Sequence, residues 1–242
     1  MVEGEIKLLG TWPSPFAIRV KMVLEQKGLS YEYLEDDLLN KSELLLKHNP
    51  IYKKVPVLIH GDRAICESLV ILQYIDENWS KTGLHVLPVD PYERAIARFW
   101  AIYVDDKNFK SRQSEFVSSD FVYWHPESYN RGGKGEENCR YTCRVRAAGR
   151  SIQEMLSGKD FFGGDSIGYI DVTLGSCLAW IKAAERISGA KLLDETKVPL
   201  LMEWVNLFLA TDCAKRTLPD VERVEKYGRD LQVTRWNVVP AK

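Results

Sequence analysis

The sequence predicts an α/β domain with the element order βαβαββα, followed by an all-helical domain. Strand and helix patterns alternate through the first 80 of 242 residues, strand patterns nearly vanish afterwards, and a segment with Gly83 and Pro88 separates the two regions. A βαβ unit, a short helix, a strand pair and a last helix make a parallel strand pair extended by an antiparallel one. We therefore expect an α/β domain over 1–80, a linker over 81–90 and a helical domain over 91–242.

Local patterns define the elements of the first domain. An apolar run over 5–9 predicts a strand, and apolar positions recur with helical spacing over 15–27. Ser14 is a favourable N-cap, Pro15 suits the first helical position, and Gly28 suits the C-cap. The remaining elements are a strand over 31–34, a short helix over 41–47, a strand over 55–59, a turn over 60–63, a strand over 64–66 and a helix over 67–78.

The second domain is predicted to consist of helices. Asp90 and Pro91, with Glu93 three residues after the Asp, mark a helix start, and this helix should run to about residue 118. Asp171, three residues after Gly168, gives a partial capping box, so we expect Asp171 to stabilise the fold rather than to catalyse. The other predicted segments are a loop over 119–135 and helices over 137–157, 169–186, 197–210 and 220–228.

Composition limits the classes of function. Hydrophobic residues make up 45% and aromatic residues 11% of the chain, which is enough for a large buried core. The net charge of −1 argues against binding to nucleic acid or anionic membranes through bulk charge. No apolar run approaches the roughly 18 residues of a membrane span, and the acidic start lacks an apolar signal core. A cytoplasmic location is therefore expected.

The cysteines and histidines do not form a recognisable reactive centre. The five cysteines are an odd number, so reduced and mostly buried thiols are expected. Cys139 and Cys143 lie four residues apart, but no second pair or nearby histidine completes a zinc site, and no metal is expected. The four histidines are isolated, and neither a nucleophile elbow nor a phosphate-binding loop occurs. Hydrolysis by an activated nucleophile is therefore disfavoured.

Three features of the first domain combine into a candidate site. Ser14 places a hydroxyl and unpaired backbone N–H groups at the start of a helix, which favours an anion. Val55-Pro56 opens a strand, and a cis bond there would leave the backbone of Val55 available to pair with an extended peptide. Glu67-Ser68 stands at another helix start. Each feature alone is usually an ordinary cap or turn, but together they suit a short peptide with an anionic thiol and a carboxylate.

The chain resembles the glutathione transferases, and most closely their plant tau class. The motifs that carry the resemblance are Trp12-Pro13-Ser14-Pro15-Phe16 with Arg19-Val20, Asn40-Lys41-Ser42, Asn49-Pro50, Lys53-Lys54-Val55-Pro56-Val57, Glu67-Ser68, Tyr74-Ile75-Asp76, Arg98-Phe99-Trp100, Phe161-Phe162-Gly163-Gly164-Asp165, Ile167-Gly168-Tyr169-Ile170-Asp171 and Leu218-Pro219. The resemblance implies a thioredoxin-like domain joined to an all-helical one, a homodimer, and glutathione as co-substrate without a further cofactor.

The resemblance also implies roles for the residues of the candidate site. Ser14 would be the catalytic residue, donating a hydrogen bond to the sulfur of glutathione. The other glutathione-binding residues it implies are Lys41 and Lys54 near the glycine carboxylate, Val55 through its backbone, Glu67 at the γ-glutamyl amine and Ser68 at the γ-glutamyl carboxylate. Judged without the resemblance, the two lysines fit exposed solubilising charges equally well.

The electrophile pocket is predicted from the same resemblance. Its candidate residues are Pro13, Phe109, Gln113, Trp180 and Phe208, and for the aromatic ones plain core packing is an equal alternative. Thr11 stands where many tau members carry an aromatic residue, which should open that wall. Residues 114–135 also depart from the usual pattern.

Two functions follow from this site. The first is conjugation of glutathione to hydrophobic electrophiles, a detoxification reaction, with peroxide reduction as an additional activity. The second is a carrier that keeps the glutathione site but mainly binds hydrophobic small molecules. Thiol exchange through a mixed disulfide is disfavoured because position 14 holds Ser, and the resemblance gives Cys66 no catalytic role.

Overall fold

The computed structural model of the protein describes residues 4–109 and 149–236. The first part of the chain contains β1 (Ile6–Gly10), α1 (Pro15–Gln26), β2 (Glu32–Glu35), α2 (Glu43–His48), β3 (Val57–His60), β4 (Arg63–Cys66) and α3 (Ser68–Asn78). These elements follow the predicted order βαβαββα, with boundaries that differ by a few residues from the predicted ones. The next helix, α4, spans Pro91–Phe109. The division at 1–80, 81–90 and 91–242 stays a prediction.

The four strands form one mixed sheet in the order β2-β1-β3-β4. β1 pairs with β2 in parallel, with Leu8 opposite Tyr33, and with β3 in antiparallel fashion, with Leu8 opposite Leu58. β3 and β4 form the predicted antiparallel pair. This arrangement confirms the thioredoxin-like fold of the first domain. It also brings the end of β1, and therefore Ser14, next to the loop that precedes β3.

The sheet is covered on both faces. On one face, α1 and α3 pack against fully buried strand residues such as Leu8 and Leu58, and this cluster continues into the helical domain. On the other face, Leu45 of α2 packs with Leu9 and Val57. The alternation of Leu8 and Leu9 between the two clusters follows from the two-residue period of a strand.

The helical domain contains five described helices after α4. They are α5 (Tyr169–Gly175), α6 (Leu178–Ser188), α7 (Pro199–Ala210), α8 (Asp212–Thr217) and α9 (Val221–Trp236), and a helical stretch over 149–153 and a 3-10 turn (Glu154–Leu156) come before them. The sequence analysis did not predict α8, and it ended α9 too early. The predicted loop over 119–135 and most of the helix over 137–157 lie outside the described residues.

The single helix predicted over 169–186 is wrong, because α5 and α6 are separate. The break falls at Ser176 and Cys177, between the two helices. The Ser176 hydroxyl donates to the carbonyl of Thr173 at 2.9 Å and accepts from Arg19 Nε at 3.2 Å. The apolar pattern runs through the break because Leu174, Cys177 and Leu178 are all buried. Periodicity alone therefore does not reveal it.

Asp171 stabilises the fold, as expected. Its buried carboxylate accepts hydrogen bonds from the backbone N–H groups of Phe162, Gly163 and Gly168 at 2.8–3.0 Å, and from Trp204 Nε1 at 2.7 Å. Four donors satisfy the charge of this carboxylate. Asp171 thus ties the start of α5 to the preceding loop and to α7.

A buried ion pair holds the segment between α3 and α4. Lys27 Nζ lies 2.8 Å from Asp76 Oδ1, and both side chains are buried. Asp76 also accepts from the backbone N–H groups of Val86 and Leu87 at 3.0 and 3.2 Å. Burial opposes ionisation, but the hydrogen bonds from Lys27, Val86 and Leu87 outweigh it and lower the pKa of the Asp76 carboxyl. Among the described residues, no helix is long and apolar enough to cross a membrane.

Candidate active site

Ser14 is placed by a tight turn between β1 and α1. Its backbone N–H donates to the carbonyl of Thr11 at 3.0 Å, and its extended backbone (φ −73°, ψ 114°) makes it the N-cap of α1. Its Oγ accepts from Ala17 N–H at 3.3 Å, with Pro15 at the first helical position. Because Oγ serves here as an acceptor, its O–H is left to donate to an anion at the start of the helix.

The loop before β3 is shaped by a side chain to which the sequence analysis gave no role in the site. Val55-Pro56 is a cis peptide bond, and Val55 stands before the ladder of β3, which begins at Val57. Asn49 holds this loop from inside: its Nδ2 donates to the carbonyl of Lys54 at 2.9 Å, and its Oδ1 accepts from Tyr52 N–H at 3.1 Å. Asn49 is buried, so these two bonds fix the course of the chain up to Lys54.

Glu67 and Ser68 form the start of α3. Glu67 has a positive φ of 69°, which costs a non-glycine residue on the order of 1–3 kcal/mol and is typical of functional sites. The carbonyl of Glu67 accepts from the N–H groups of Val70 and Ile71 at 2.9 Å, so the strained residue is tied into the first turn of the helix. Ser68 is buried directly after it.

These elements meet at one cleft of about 120 Å³. Its lining residues are Phe16, Asn49, Lys54, Val55, Pro56, Glu67 and Ser68. Four of the predicted glutathione-binding residues, Lys54, Val55, Glu67 and Ser68, are thus brought together, and Phe16 lies two residues after Ser14. Lys41 lies just before the Ser42 cap of α2 and is not among the lining residues.

Arg19 connects this cleft to the helical domain. Its fully buried guanidinium forms two bonds with the carboxylate of Asp105 on α4, Nη2 to Oδ1 at 2.5 Å and Nη1 to Oδ2 at 3.0 Å. Nη1 also donates to Ser68 Oγ at 3.3 Å, while Nε donates to Ser176 Oγ and Nη2 to the Thr173 carbonyl. Arg19 therefore orients the Ser68 hydroxyl from beneath the cleft. A cation on an apolar helix face is the sequence clue, but it does not identify the partner.

The loop before Ser14 contacts the helical domain through its backbone. Trp180 Nε1 on α6 donates to the carbonyl of Pro13 at 2.6 Å. The Trp12 ring lies 3.9 Å beneath the Arg223 guanidinium and 5.4 Å from the ring of Tyr227, both on α9. Two of the predicted electrophile-pocket residues, Pro13 and Trp180, are therefore in direct contact. The contacts of α9 were not anticipated from the sequence.

The structure corrects the prediction that Phe208 lines the electrophile pocket. It is completely buried, with its ring 5.2 Å from that of Trp204. It packs so closely on α5 that a Cβ atom at Gly175 would lie 2.1 Å from Phe208 Cζ. Phe208 is therefore a core residue, and we remove it from the candidate pocket.

The remaining predicted positions are less fully described. Phe109 is the last described residue of α4, while Gln113 and residues 114–135 lie outside the described residues. Cys139 and Cys143 also lie outside them. Thr11 does not face an open wall, because its side chain is buried with the hydroxyl on Glu35.

Comparisons with known proteins agree with this geometry. A family model described as "Glutathione S-transferase, N-terminal domain" matches residues 4–77. Glutathione S-transferase U15 of Arabidopsis thaliana is 45% identical over 230 residues, covering 94% of each chain. The probable glutathione S-transferase GSTU6 of Oryza sativa subsp. japonica is 42% identical over 247 residues, covering 99% of this chain and 98% of that protein.

Solved structures show the same relationship. A tau class glutathione S-transferase from mango, Mangifera indica, superimposes with a TM-score of 0.77 at 41% identity, covering 94% of this chain and 98% of that one. Rice GST1 in complex with glutathione superimposes with a TM-score of 0.77 at 34% identity, covering 96% of this chain and 99% of that one. Given these similarities over nearly the whole length and the thioredoxin-like fold and cleft described above, the chain belongs to the tau class of the glutathione transferase family.

Proposed function

We propose that this protein conjugates glutathione to hydrophobic electrophiles and that Ser14 stabilises the reacting thiolate. The observation that carries the proposal is the position of Ser14: a buried hydroxyl at the N-terminus of α1, two residues before Phe16, which lines the same cleft as Lys54, Val55, Glu67 and Ser68. A thiolate at this point would accept from the hydroxyl and lie in the field of the helix. The proposal needs glutathione as co-substrate and no further cofactor.

The energies are sufficient for this role. A free thiol has a pKa of about 8.5, so substantial ionisation at pH 7 requires a downward shift of roughly two units, or about 3 kcal/mol. A hydrogen bond to a charged acceptor contributes about 1.5–3 kcal/mol. A helix N-terminus adds about 0.3–1 kcal/mol. Two ordinary effects together therefore ionise the thiol, and no histidine base is needed.

The rest of the cleft supports binding of the tripeptide. In this proposal the backbone of Val55 pairs with the cysteinyl unit, and Lys41 and Lys54 attract the glycine carboxylate. Glu67 takes the γ-glutamyl amine and Ser68 its carboxylate. Ser68 opens α3, where unpaired N–H groups favour an anion. The Arg19 guanidinium, which donates to Ser68 Oγ, directs the hydroxyl proton of Ser68 away from itself and toward the ligand.

The chemistry follows from the thiolate. Its sulfur attacks an electrophilic carbon held beside Pro13 and Trp180, the C–S bond forms, and the leaving group departs with its electron pair. With a hydroperoxide, the sulfur takes the terminal oxygen and releases an alcohol. A second glutathione then reduces the sulfenic intermediate to water and glutathione disulfide. Phe109 and Gln113 remain predicted members of the electrophile wall.

Replacement of Ser14 by Ala tests the proposal. We expect turnover of a chloronitrobenzene substrate at neutral pH to fall by about tenfold or more, because a hydrogen bond to a charged atom is lost. A suitable control is Thr211→Ala, which removes the hydroxyl that caps α8 at 3.2 Å and does not line the cleft, so it should keep its activity. An unchanged rate in Ser14→Ala would refute the role of Ser14.

We also propose a homodimer in the cytoplasm. Val70 on α3 and Phe99 and Ile102 on α4 are large apolar side chains that are at least half exposed, and the Arg98–Gln73 hydrogen bond at 2.8 Å joins the two helices. An exposed apolar face of this kind is typical of a protein interface. Sedimentation should give twice the chain mass, and Phe99→Asp should give the monomer. A fluorescent fusion imaged in cells tests the location.

The carrier function stays an untested alternative. It was suggested by residues 114–135, which lie outside the described residues, and no described contact favours it over catalysis. Titration with a fluorescent apolar ligand beside the conjugation assay separates the two. Good turnover of several electrophiles would count against a protein that only carries.

A further inference from the structure

One carboxylate oxygen holds the first half of the turn that carries Ser14. Glu35 Oε1 accepts from the hydroxyl of Thr11 at 3.1 Å and from the backbone N–H of Trp12 at 2.8 Å. The same turn closes through the bond from Ser14 N–H to the Thr11 carbonyl. Thr11 and Trp12 therefore cannot shift without breaking their bonds to Glu35, and any shift passes directly to Ser14.

The sheet fixes Glu35 itself. Glu35 is the last residue of β2 and pairs in register with Gly10, the last residue of β1. The backbone continues this pairing, since Asp36 N–H donates to the Gly10 carbonyl at 2.8 Å. The carboxylate is therefore attached to the strand pair from which the turn departs. On the other side of the turn, Trp180 holds the carbonyl of Pro13.

We propose that Glu35 is a positioning residue for Ser14, which it aims at the glutathione sulfur through Thr11 and Trp12. This proposal rests on the function proposed above. A donor must lie within hydrogen-bonding distance of the developing thiolate, so a small displacement of the turn weakens ionisation of the thiol. Glutathione affinity is affected much less, because the cleft formed by Val55, Glu67 and Ser68 does not depend on this turn.

Glu35 acts as an acceptor rather than as a charge. A carboxylate near a thiolate would by itself disfavour ionisation of the thiol. The Lys21 ammonium lies 3.3 Å from the centroid of the Tyr33 ring and interacts electrostatically with the same carboxylate. Burial lowers the pKa of Lys21, and the negative charge of Glu35 opposes that shift. Since Lys21 offsets the charge, a neutral acceptor of the same length should serve equally well.

The experiment compares five variants with the wild type, one of which, Ser14→Ala, removes the proposed donor itself. Glu35→Ala removes the acceptor, Glu35→Gln keeps an acceptor oxygen without charge, and Thr11→Val removes one of the two bonds. Glu32→Ala is the matched control, because Glu32 lies on the same strand but pairs with Lys7 at 2.9 Å, away from the turn. The readouts are kcat, the KM for glutathione, and the pKa of the bound thiol followed by thiolate absorbance in the ultraviolet.

We expect Glu35→Ala to raise the pKa of the bound thiol by about half a unit and to lower kcat about three- to tenfold, with less than about a twofold change in KM. Thr11→Val should raise the thiol pKa and lower kcat by smaller amounts than Glu35→Ala. Glu35→Gln and Glu32→Ala should match the wild type in both quantities. Should Glu35→Ala fail to fold, Thr11→Val decides the outcome.

The proposal is overturned if Glu35→Ala or, where that variant is unfolded, Thr11→Val titrates the thiol like the wild type. It is also overturned if Glu35→Gln is as impaired as Glu35→Ala. If the wild type does not lower the thiol pKa, or if Ser14→Ala titrates identically to it, the proposed function fails together with this inference. A wild type that depends on Ser14 but not on Glu35 removes only the role of Glu35.

Discussion

Helix α1 and its C-cap each bury a cation, Arg19 and Lys27, and the protein uses the two differently. Arg19 and Lys27 are both completely shielded from solvent, and each pairs with one carboxylate. Arg19 pairs with Asp105 on the first helix of the second domain and reaches Ser68 in the cleft that Lys54, Val55 and Glu67 also line. Lys27 pairs with Asp76 and holds the segment between the domains, away from the cleft.

The partners also differ in their access to water. The Asp105 side chain is 21% exposed, whereas that of Asp76 is 3% exposed. A buried pair adds little net stability, because desolvation offsets the attraction, but breaking it is costly. The pairs therefore specify geometry rather than supply stability. The Arg19 pair specifies a binding site, and the Lys27 pair specifies how the chain passes from one domain to the next.

The largest expected effect is on the stability of the folded protein. Lys27→Met leaves Asp76 charged and buried, so the free energy of unfolding should fall by about 3–5 kcal/mol. Arg19→Met should lower the free energy of unfolding by less, about 2–3 kcal/mol, because the partly exposed Asp105 carboxylate can be hydrated. Urea unfolding followed by circular dichroism measures both. Equal losses in the two variants would contradict the argument from exposure.

The second effect separates binding from stability. Arg19→Lys keeps the charge but loses the planar fork that reaches Asp105 and Ser68 together. We expect the KM for glutathione to rise about tenfold, since a misdirected Ser68 would lose its proposed bond to the γ-glutamyl carboxylate. Lys27→Met, assayed below its unfolding transition, should keep the wild-type KM. A change in KM of similar size in both variants would mean that general loosening, and not Ser68, is responsible.

This comparison also explains how far the sequence alone predicts the molecule. An N-cap, an X-Pro bond and a helix start are local features, each set by a few adjacent residues. The sequence could therefore indicate these features at Ser14, Val55-Pro56 and Glu67-Ser68. The order βαβαββα followed from apolar periodicity for the same reason. Arg19 and Asp105 are 86 positions apart in the sequence. No local pattern indicates which acidic residue pairs with a buried arginine over such a distance.

The two aromatic candidates Trp180 and Phe208 could not be distinguished from the sequence for a related physical reason. Trp180 and Phe208 both occupy apolar helical positions, yet Trp180 contacts the turn at Pro13 and Phe208 fills the space left by Gly175. Only the packing of α5 against α7 distinguishes them. The break between α5 and α6 was missed likewise, because Ser176 is stabilised by Arg19, a residue of the other domain.

A smaller effect is expected on how the stability of the protein depends on pH. Because the pKa of Asp76 is lowered in the folded protein, its ion pair contributes stability above the unfolded value of about 3.9. This contribution is lost as the pH falls through the lower, folded value. The groups facing the carboxylate are Lys27 and the half-exposed His85, 3.5 Å away. Urea midpoints should therefore fall less steeply with acid in Asp76→Asn than in the wild type. Parallel curves would exclude this linkage.

The smallest effect is expected for an ion pair that is much less buried than Lys27–Asp76. Arg229 and Glu225 lie one turn apart on α9, with Nη2 to Oε1 at 2.8 Å and side chains that are 45% and 22% exposed, against 0% and 3% for Lys27 and Asp76. The distance equals that of the Lys27–Asp76 pair, but water competes for both charges and salt screens them. Arg229→Ala should change the free energy of unfolding by less than about 0.5 kcal/mol and leave the KM for glutathione unchanged. Because the two pairs match in length, the difference between Arg229→Ala and Lys27→Met measures the effect of burial, and a loss of similar size in both would refute burial as its cause.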